Sequence, residues 1–317
     1  MTIRSLLAGA AVALAAAPAL AEAPEGWAPL LEPSELASIL DRATGDEIRI
    51  LQVNQDHADG YIPGAVRAPY AEWRGPAENP GALPDLAELH EVIARTGIEA
   101  DIPVVVVHAG TDTTDFGSAA RVYWTLKSLG VEDLAILDGG LAAWKEAGLP
   151  VEREEAGVFA SDWQPDLSDK WRVTSADLAA SVESGETAKL VDARPLDFFE
   201  GRSAHGAAGR PGTLPGAENL SYEVWFEDDG SMVSPERARA IAEETGQTEP
   251  SVAFCNTGHW AAINWFALSE LAGIEDTRMY AESMVDWSQS DLPMMNQPSR
   301  LEFYWQQVTD WVDGFRS

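Results

Sequence analysis

The chain has one cysteine, Cys255, in 317 residues. That excludes an internal disulfide and leaves a single thiol that is either packed away or kept for reaction. Positive charge is also scarce: 21 Lys and Arg stand against 52 Asp and Glu, a formal charge of −31. Such a surface repels nucleic acid and anionic lipid, so neither is expected as a partner. An anionic small molecule would approach only where a local positive potential overrides the global field. No grouping of His, Cys and Asp has metal-ligand spacing, so no metal is expected. Long apolar runs are missing beyond the first 21 residues, and no later stretch approaches the ~20 residues that a helical membrane span requires.

The apolar run that does exist stands at the very start. Arg4 supplies a positive charge, Ser5 to Ala17 is almost wholly Leu, Ala, Val and Gly, and Ala19-Leu20-Ala21 is a small-x-small site. Residues 1–21 therefore read as a secretory signal peptide, and a periplasmic or secreted, soluble protein is expected. With 45% hydrophobic residues and 12 Trp, the remainder can bury a sizeable core, divided between two domains.

Those two domains are written as a repeat. Tyr61-Ile-Pro-Gly-Ala65 answers Thr213-Leu-Pro-Gly-Ala217, and Pro103-Val-Val-Val-Val-His108 answers Pro250-Ser-Val-Ala-Phe-Cys255, in the same order. Each copy opens with a helix-start pattern, Pro33 to Leu40 and Val173 to Ala180, where a Ser or Thr cap precedes an acid in the first turn. Short strands follow at Arg49–Val53 and Lys189–Ala193. A helix with apolar residues at Ala119, Val122, Tyr123 and Leu126 comes after the second strand of the first copy. Strands alternating with helices predict an α/β fold, each copy a mostly parallel sheet covered by helices on both faces. The expected layout is an N-terminal domain over 28–151, an acidic, breaker-rich linker over 152–170, and a C-terminal domain over 171–295. A tail over 296–317 completes it, helical by the pattern Trp305, Val308, Val312.

The stretch Ser251 to Phe266 carries the chemistry. A β-branched run ends at Cys255, a turn containing Gly258 follows, and an apolar segment begins, which reads as strand, loop and buried helix. A thiol at that turn faces backbone N–H groups without intrahelical partners and the positive end of the helix dipole, both of which favour thiolate. Cysteines so placed commonly titrate below the free value of about 8.5 and act as nucleophiles. The competing reading is a small buried apolar residue, which many lone cysteines are.

Two α/β copies, the x-Pro-Gly-Ala turns, the run Leu137-Asp-Gly-Gly-Leu-Ala-Ala-Trp144 and the lone cysteine before a Gly-containing loop together resemble the tandem-domain rhodanese sulfurtransferases, of the thiosulfate and 3-mercaptopyruvate type. The resemblance covers nearly all of the chain after the leader. It implies a five-stranded parallel sheet in each domain, a catalytically silent first domain, and Cys255 as the residue that becomes a persulfide. It further implies that Asn256, Thr257, Gly258, His259, Trp260 and Ala261 form the substrate-binding loop, with Asp192 and Arg194 in support. His108 occupies the place of the cysteine in the first copy. The partners implied are a small anionic sulfur donor and a thiophilic acceptor such as cyanide or a thiol, with no metal and no organic cofactor.

The sequence departs from that pattern in two respects: its loop has no Arg or Lys after the cysteine, as loops of the thiosulfate-using type have, and it matches the Gly-rich, uncharged loop of the mercaptopyruvate-using type only in part. Arg202, His205 and Arg210 lie where they could make good the missing charge, although ordinary surface positions would explain them too. His259 is the only loop residue able to become cationic, with an unperturbed pKa near 6.5. If it does, thiosulfate capture should strengthen as pH falls through its titration; otherwise it packs beside Trp260. A cysteine phosphatase would need an Arg six positions after the thiol, and position 261 is Ala. A non-enzymatic persulfide carrier, turning over only with a protein partner, would present the same loop.

Overall fold

The computed structural model describes residues 23–43, 47–55, 58–185 and 188–298. The leader at 1–21 and the helical pattern after Leu301 lie outside the described residues. In the first copy, strands β1 (Leu30–Leu31), β2 (Arg49–Gln52), β3 (Ala65–Arg67), β4 (Val104–Val107) and β5 (Leu134–Leu137) alternate with helices. The helices are α1 (Pro33–Leu40), α2 (Leu86–Thr96), α3 (Phe116–Leu129) and α4 (Gly140–Glu146). The sheet order is β1-β5-β4-β2-β3, and every pairing is parallel. Its centre is the all-valine β4, buried on both faces, as a β-branched strand covered by helices on each side must be.

The second copy repeats the plan with α5 (Ser175–Ser184), β6 (Lys189–Asp192), α6 (Leu196–Phe199), β7 (Glu218–Asn219), α7 (Pro235–Glu244), β8 (Ser251–Phe254), α8 (His259–Phe266), β9 (Arg278–Met279) and α9 (Ser283–Trp287). Its parallel sheet runs β7-β6-β8-β9. Among the described residues this sheet has four strands, where the resemblance implied five. The edge position that β1 holds in the first copy is reduced here to a single parallel bridge between Arg172 and Met279.

Helix starts follow local chemistry. Thr174 caps α5: its Oγ1 accepts the Asp177 amide at 3.2 Å, and the Asp177 carboxylate accepts the Thr174 amide at 3.2 Å. At α1 the expected Ser cap is displaced. Glu32 precedes the helix, its amide donating to Glu35 at 2.9 Å, and Ser34 falls inside the first turn. Proline at the first helical position sets the start two residues early, since its missing N–H needs no partner there.

Helix α3 shows the expected face and more. Thirteen of its residues are buried, because α8 of the second copy packs along it. Tyr123 and Lys127 of α3 both donate to Glu270 of the second copy, at 2.7 and 2.6 Å. The segment after α4 lies against the first copy, with the Glu152 and Tyr61 backbones exchanging hydrogen bonds at 2.8 Å and Ala156 N–H donating to Ala65.

Candidate active site

Cys255 follows the last residue of β8 and is only 1% exposed. Its backbone is held from two sides. The Cys255 amide donates to Ser283 Oγ at 3.0 Å, and its carbonyl accepts from the Met284 amide at 3.1 Å. Ser283 is fully buried yet sits at φ 56°, a left-handed conformation that costs a non-glycine residue free energy and is kept only where the surroundings enforce it.

The loop then turns at Gly258, φ 69°, into α8. The amides of Asn256, Thr257, Gly258, His259 and Trp260 donate to no acceptor among the described residues. They follow the thiol directly at a helix N-terminus, where unpaired N–H groups and the helix dipole together favour an anion. Asn256 is fixed through Arg194, whose Nη1 donates to Asn256 Oδ1 at 3.2 Å. Asp192 grips that guanidinium with both oxygens, at 2.8 and 2.6 Å, and also accepts from Thr213 Oγ1 at 2.7 Å. Arg194 is thus neutralised in place, and what it supplies at the loop is position.

A cavity of about 200 Å³ opens at the thiol, lined by Arg74, Thr114, His205, Cys255, Asn256, Thr257, His259 and Trp260. Two of these, Arg74 and Thr114, belong to the first copy. A larger cavity of about 690 Å³ lies between the first copy and the segment that follows it, beside Leu40, Arg49, Trp144 and Val158, and it has no thiol in its wall. Chemistry is therefore assigned to the smaller one. Among the described residues there is no cluster of His, Cys, Asp or Glu able to hold a metal ion.

The Rhodanese-like domain profile matches residues 32–147 and again residues 174–290. The chain belongs to the rhodanese family. It is a tandem-domain sulfurtransferase. A 3-mercaptopyruvate sulfurtransferase of Escherichia coli is 30% identical over 254 residues, 76% of this chain and 85% of its own length. A Synechococcus elongatus protein named for thiosulfate sulfurtransferase activity is 29% identical over 82% of this chain and 84% of its own. In structure, the 3-mercaptopyruvate sulfurtransferase of Leishmania major superimposes with a TM-score of 0.69 at 25% identity, over 84% of this chain and 76% of that one.

Within this tandem rhodanese, the predicted loop residues are brought together unequally. Asn256, Thr257, His259 and Trp260 line the cavity with the thiol. Gly258 supplies the turn, and Ala261 points into the core at 0% exposure. Trp260 stacks on Tyr222, with centroids 4.9 Å apart and planes at 8°, and its indole N–H donates to Thr114 of the first copy.

His259 departs from the electrostatic expectation. Its Nε2 lies 2.7 Å from the Thr114 carbonyl, which can only accept, so that nitrogen carries the proton. Nδ1 then accepts from Tyr70 Oη at 2.9 Å. Burial, and next the charge of Arg74, lower its pKa to about 4. His259 is therefore neutral near pH 7, adds no positive charge to the loop there, and links the two copies through Tyr70 and Thr114. Of the three outlying candidates, only His205 reaches the cavity. Arg202 is paired with Asp197 and Glu200, and Arg210 is spent on the carbonyls of Ser288, Ser290 and Leu292.

A pH effect on stability follows. The unfolded chain takes up a proton at this histidine near pH 6.5, while the folded chain resists until about pH 4. In that window the unfolded state binds more protons, so stability falls as pH drops from 6.5 towards 4. His205, also lowered by burial and then by Arg74, adds in the same direction. Melting temperature against pH should fall less steeply across this window for His259→Gln than for the wild type; parallel curves would show that the histidine is not the group responsible.

Arg74, Thr114, Tyr70 and the buried Arg121 of α3 were not legible as site residues, because each reaches the loop across the junction of the copies. No local pattern marks such a contact.

Proposed function

We propose that Cys255 carries sulfur as a persulfide between an anionic donor and a thiophilic acceptor. The thiolate attacks the outer sulfur of thiosulfate, a new S–S bond forms at Cys255, and the donor S–S bond breaks with its electron pair leaving on sulfite. From 3-mercaptopyruvate, the C–S bond breaks instead, and the pyruvate carbanion takes up the proton of the donor thiol. Cyanide or a thiolate then attacks the terminal sulfur, and Cys255 leaves as thiolate.

The observation that carries this reading is the row of five amides without acceptors beside the lone thiol. A persulfide anion there meets donors that need not reorient, the arrangement that stabilises oxyanions elsewhere. Arg194 and Asp192 support the loop by holding Asn256. The leader-like N-terminus supports an exported enzyme.

The first copy is silent in this proposal, and its own loop gives a physical reason. His108 stands where Cys255 does, and Asp115 Oδ2 accepts the amides of Gly110 at 2.8 Å and Thr111 at 3.4 Å and meets His108 Nδ1 at 3.1 Å. Burial pushes the Asp115 carboxyl up, but the His108 hydrogen bond and charge and the two amides together hold it below the usual range. The anion site of this copy is filled by its own carboxylate.

Intact-mass measurement after incubation with each donor tests the proposal. Addition of one sulfur atom, removed again by cyanide, is the expected result; no addition from either donor would overturn it. Loading without steady-state turnover would mark the chain as a carrier that needs a protein partner.

A further inference from the structure

Arg121 stands in the middle of α3, 0% exposed, and it lines no part of the cavity at Cys255. Its Nη2 donates to the carbonyls of Gly81 at 2.8 Å and Ala82 at 3.4 Å, and the guanidinium lies 5.1 Å from the centroid of the Trp124 ring. Nε and Nη1 have no hydrogen-bond partner among the described residues. Nη1 is nevertheless pressed against the loop of the other copy: a Cβ on Gly258, three positions after the thiol, would stand 2.1 Å from it.

A guanidinium taken out of water is costly unless negative charge accompanies it. The charged and titratable groups that face Arg121 are Tyr70, Arg74, Glu282 and Cys255. Burial, above all, holds the Tyr70 phenol in its neutral form, and His259, bonded to Tyr70, is neutral as well. Glu282 is paired with Arg172, so those two charges cancel. Arg74 is a second cation. The balance left among these groups is positive, and Cys255 alone can answer it, as thiolate. Burial brings the pKa of Arg121 down to about 10, which leaves it cationic near neutral pH.

We infer that Arg121 is a positioning residue for the reaction: from the interior of the silent copy it supplies the fixed counter-charge that keeps Cys255 anionic, without touching donor or acceptor. The loop amides meet the anion as hydrogen-bond donors, whereas Arg121 acts through a dry interior where a charge is screened least. This rests on Cys255 being the nucleophile, and the test reads the state of the thiol without any sulfur transfer.

Cys255 is the only thiol in the chain, so the rate of alkylation by neutral iodoacetamide reports on it alone. Arg121→Met removes the charge and keeps much of the volume. The midpoint of rate against pH should then move up by about one pH unit. On the rising limb the rate should fall about tenfold, while the plateau at high pH is kept or raised, because a more basic thiolate is the better nucleophile. Arg121→Lys should restore the wild-type midpoint. Arg121→Gln, which can still bond to Gly81, should behave as the methionine variant does and replaces it if that variant does not fold. Iodoacetate, which bears a carboxylate, should slow by the same factor as iodoacetamide, because Arg121 does not meet the reagent. Superimposable midpoints for the wild type and the uncharged variants would overturn the inference. So would a lowered plateau at an unchanged midpoint, which marks damage to the loop, or a loss confined to iodoacetate, which marks contact with the ligand. If the midpoint moves but the wild type takes sulfur from neither thiosulfate nor 3-mercaptopyruvate, the role of Arg121 at the thiol stands and the persulfide reading falls.

Discussion

Cys255→Ser is expected to take up no sulfur from any donor and to fold almost as the wild type does. The thiol is the only one in the chain, so no second sulfur can relay the transfer, and a serine hydroxyl near neutral pH lacks the anionic character the attack requires. The change is small in volume, but it puts a hydroxyl among the apolar neighbours of a residue 1% exposed. A cost of about 1–3 kcal/mol follows if that hydroxyl finds no partner. Far-ultraviolet circular dichroism and a thermal melt would check the fold, and mass spectrometry the loading. A serine variant retaining half or more of the wild-type turnover would place the chemistry elsewhere.

Gly258→Ala should be nearly as damaging by a different route. The residue lies at φ 69°, and an added Cβ would stand 2.1 Å from Arg121 Nη1 and 2.5 Å from the Ala281 carbonyl oxygen. The arginine tip could retreat, but the carbonyl is backbone and the left-handed conformation penalises any Cβ by about 1–2 kcal/mol. Relieving the clash would move the turn that sets the five unpaired amides. Loss of about 2–4 kcal/mol of stability and at least tenfold slower sulfur loading are expected, read by denaturant titration and single-turnover loading. A variant matching the wild type in both would show that the turn tolerates displacement.

How far these residues were visible in advance depends on the range of the interaction. β4, β8 and the helices after them were legible because a β-branched run, a turn and an apolar segment are local patterns. Cys255 and its loop could be placed for the same reason, and the repeat supplied their counterpart at His108. The α1 cap failed by two residues because Pro33 competes with Ser34 for the start. The edge of the second sheet shrank to the Arg172 bridge, and no short-range pattern reports on the length of an edge strand. His259 misled because its charge state is set by burial, Tyr70, Thr114 and Arg74, none of them within 100 positions of it in the chain. A tautomer fixed from another domain has no signature in its own neighbourhood.

Arg121 shows what the meeting of α3 and α8 implies for the molecule as a whole. Its side chain is 0% exposed, two of its nitrogens find no partner among the described residues, and burial brings its pKa down to about 10. It donates to Gly81 of its own copy and abuts Gly258 of the other. A cation so placed is tolerable only while both copies enclose it together with the acids and dipoles that face it. Pulled apart, each copy would expose an apolar helix face to water, and the charge would lose its setting. The two copies, alike in plan, therefore each supply what the other lacks at their junction: α3 and α8 cover one another's apolar faces, and Arg121 is enclosed by both.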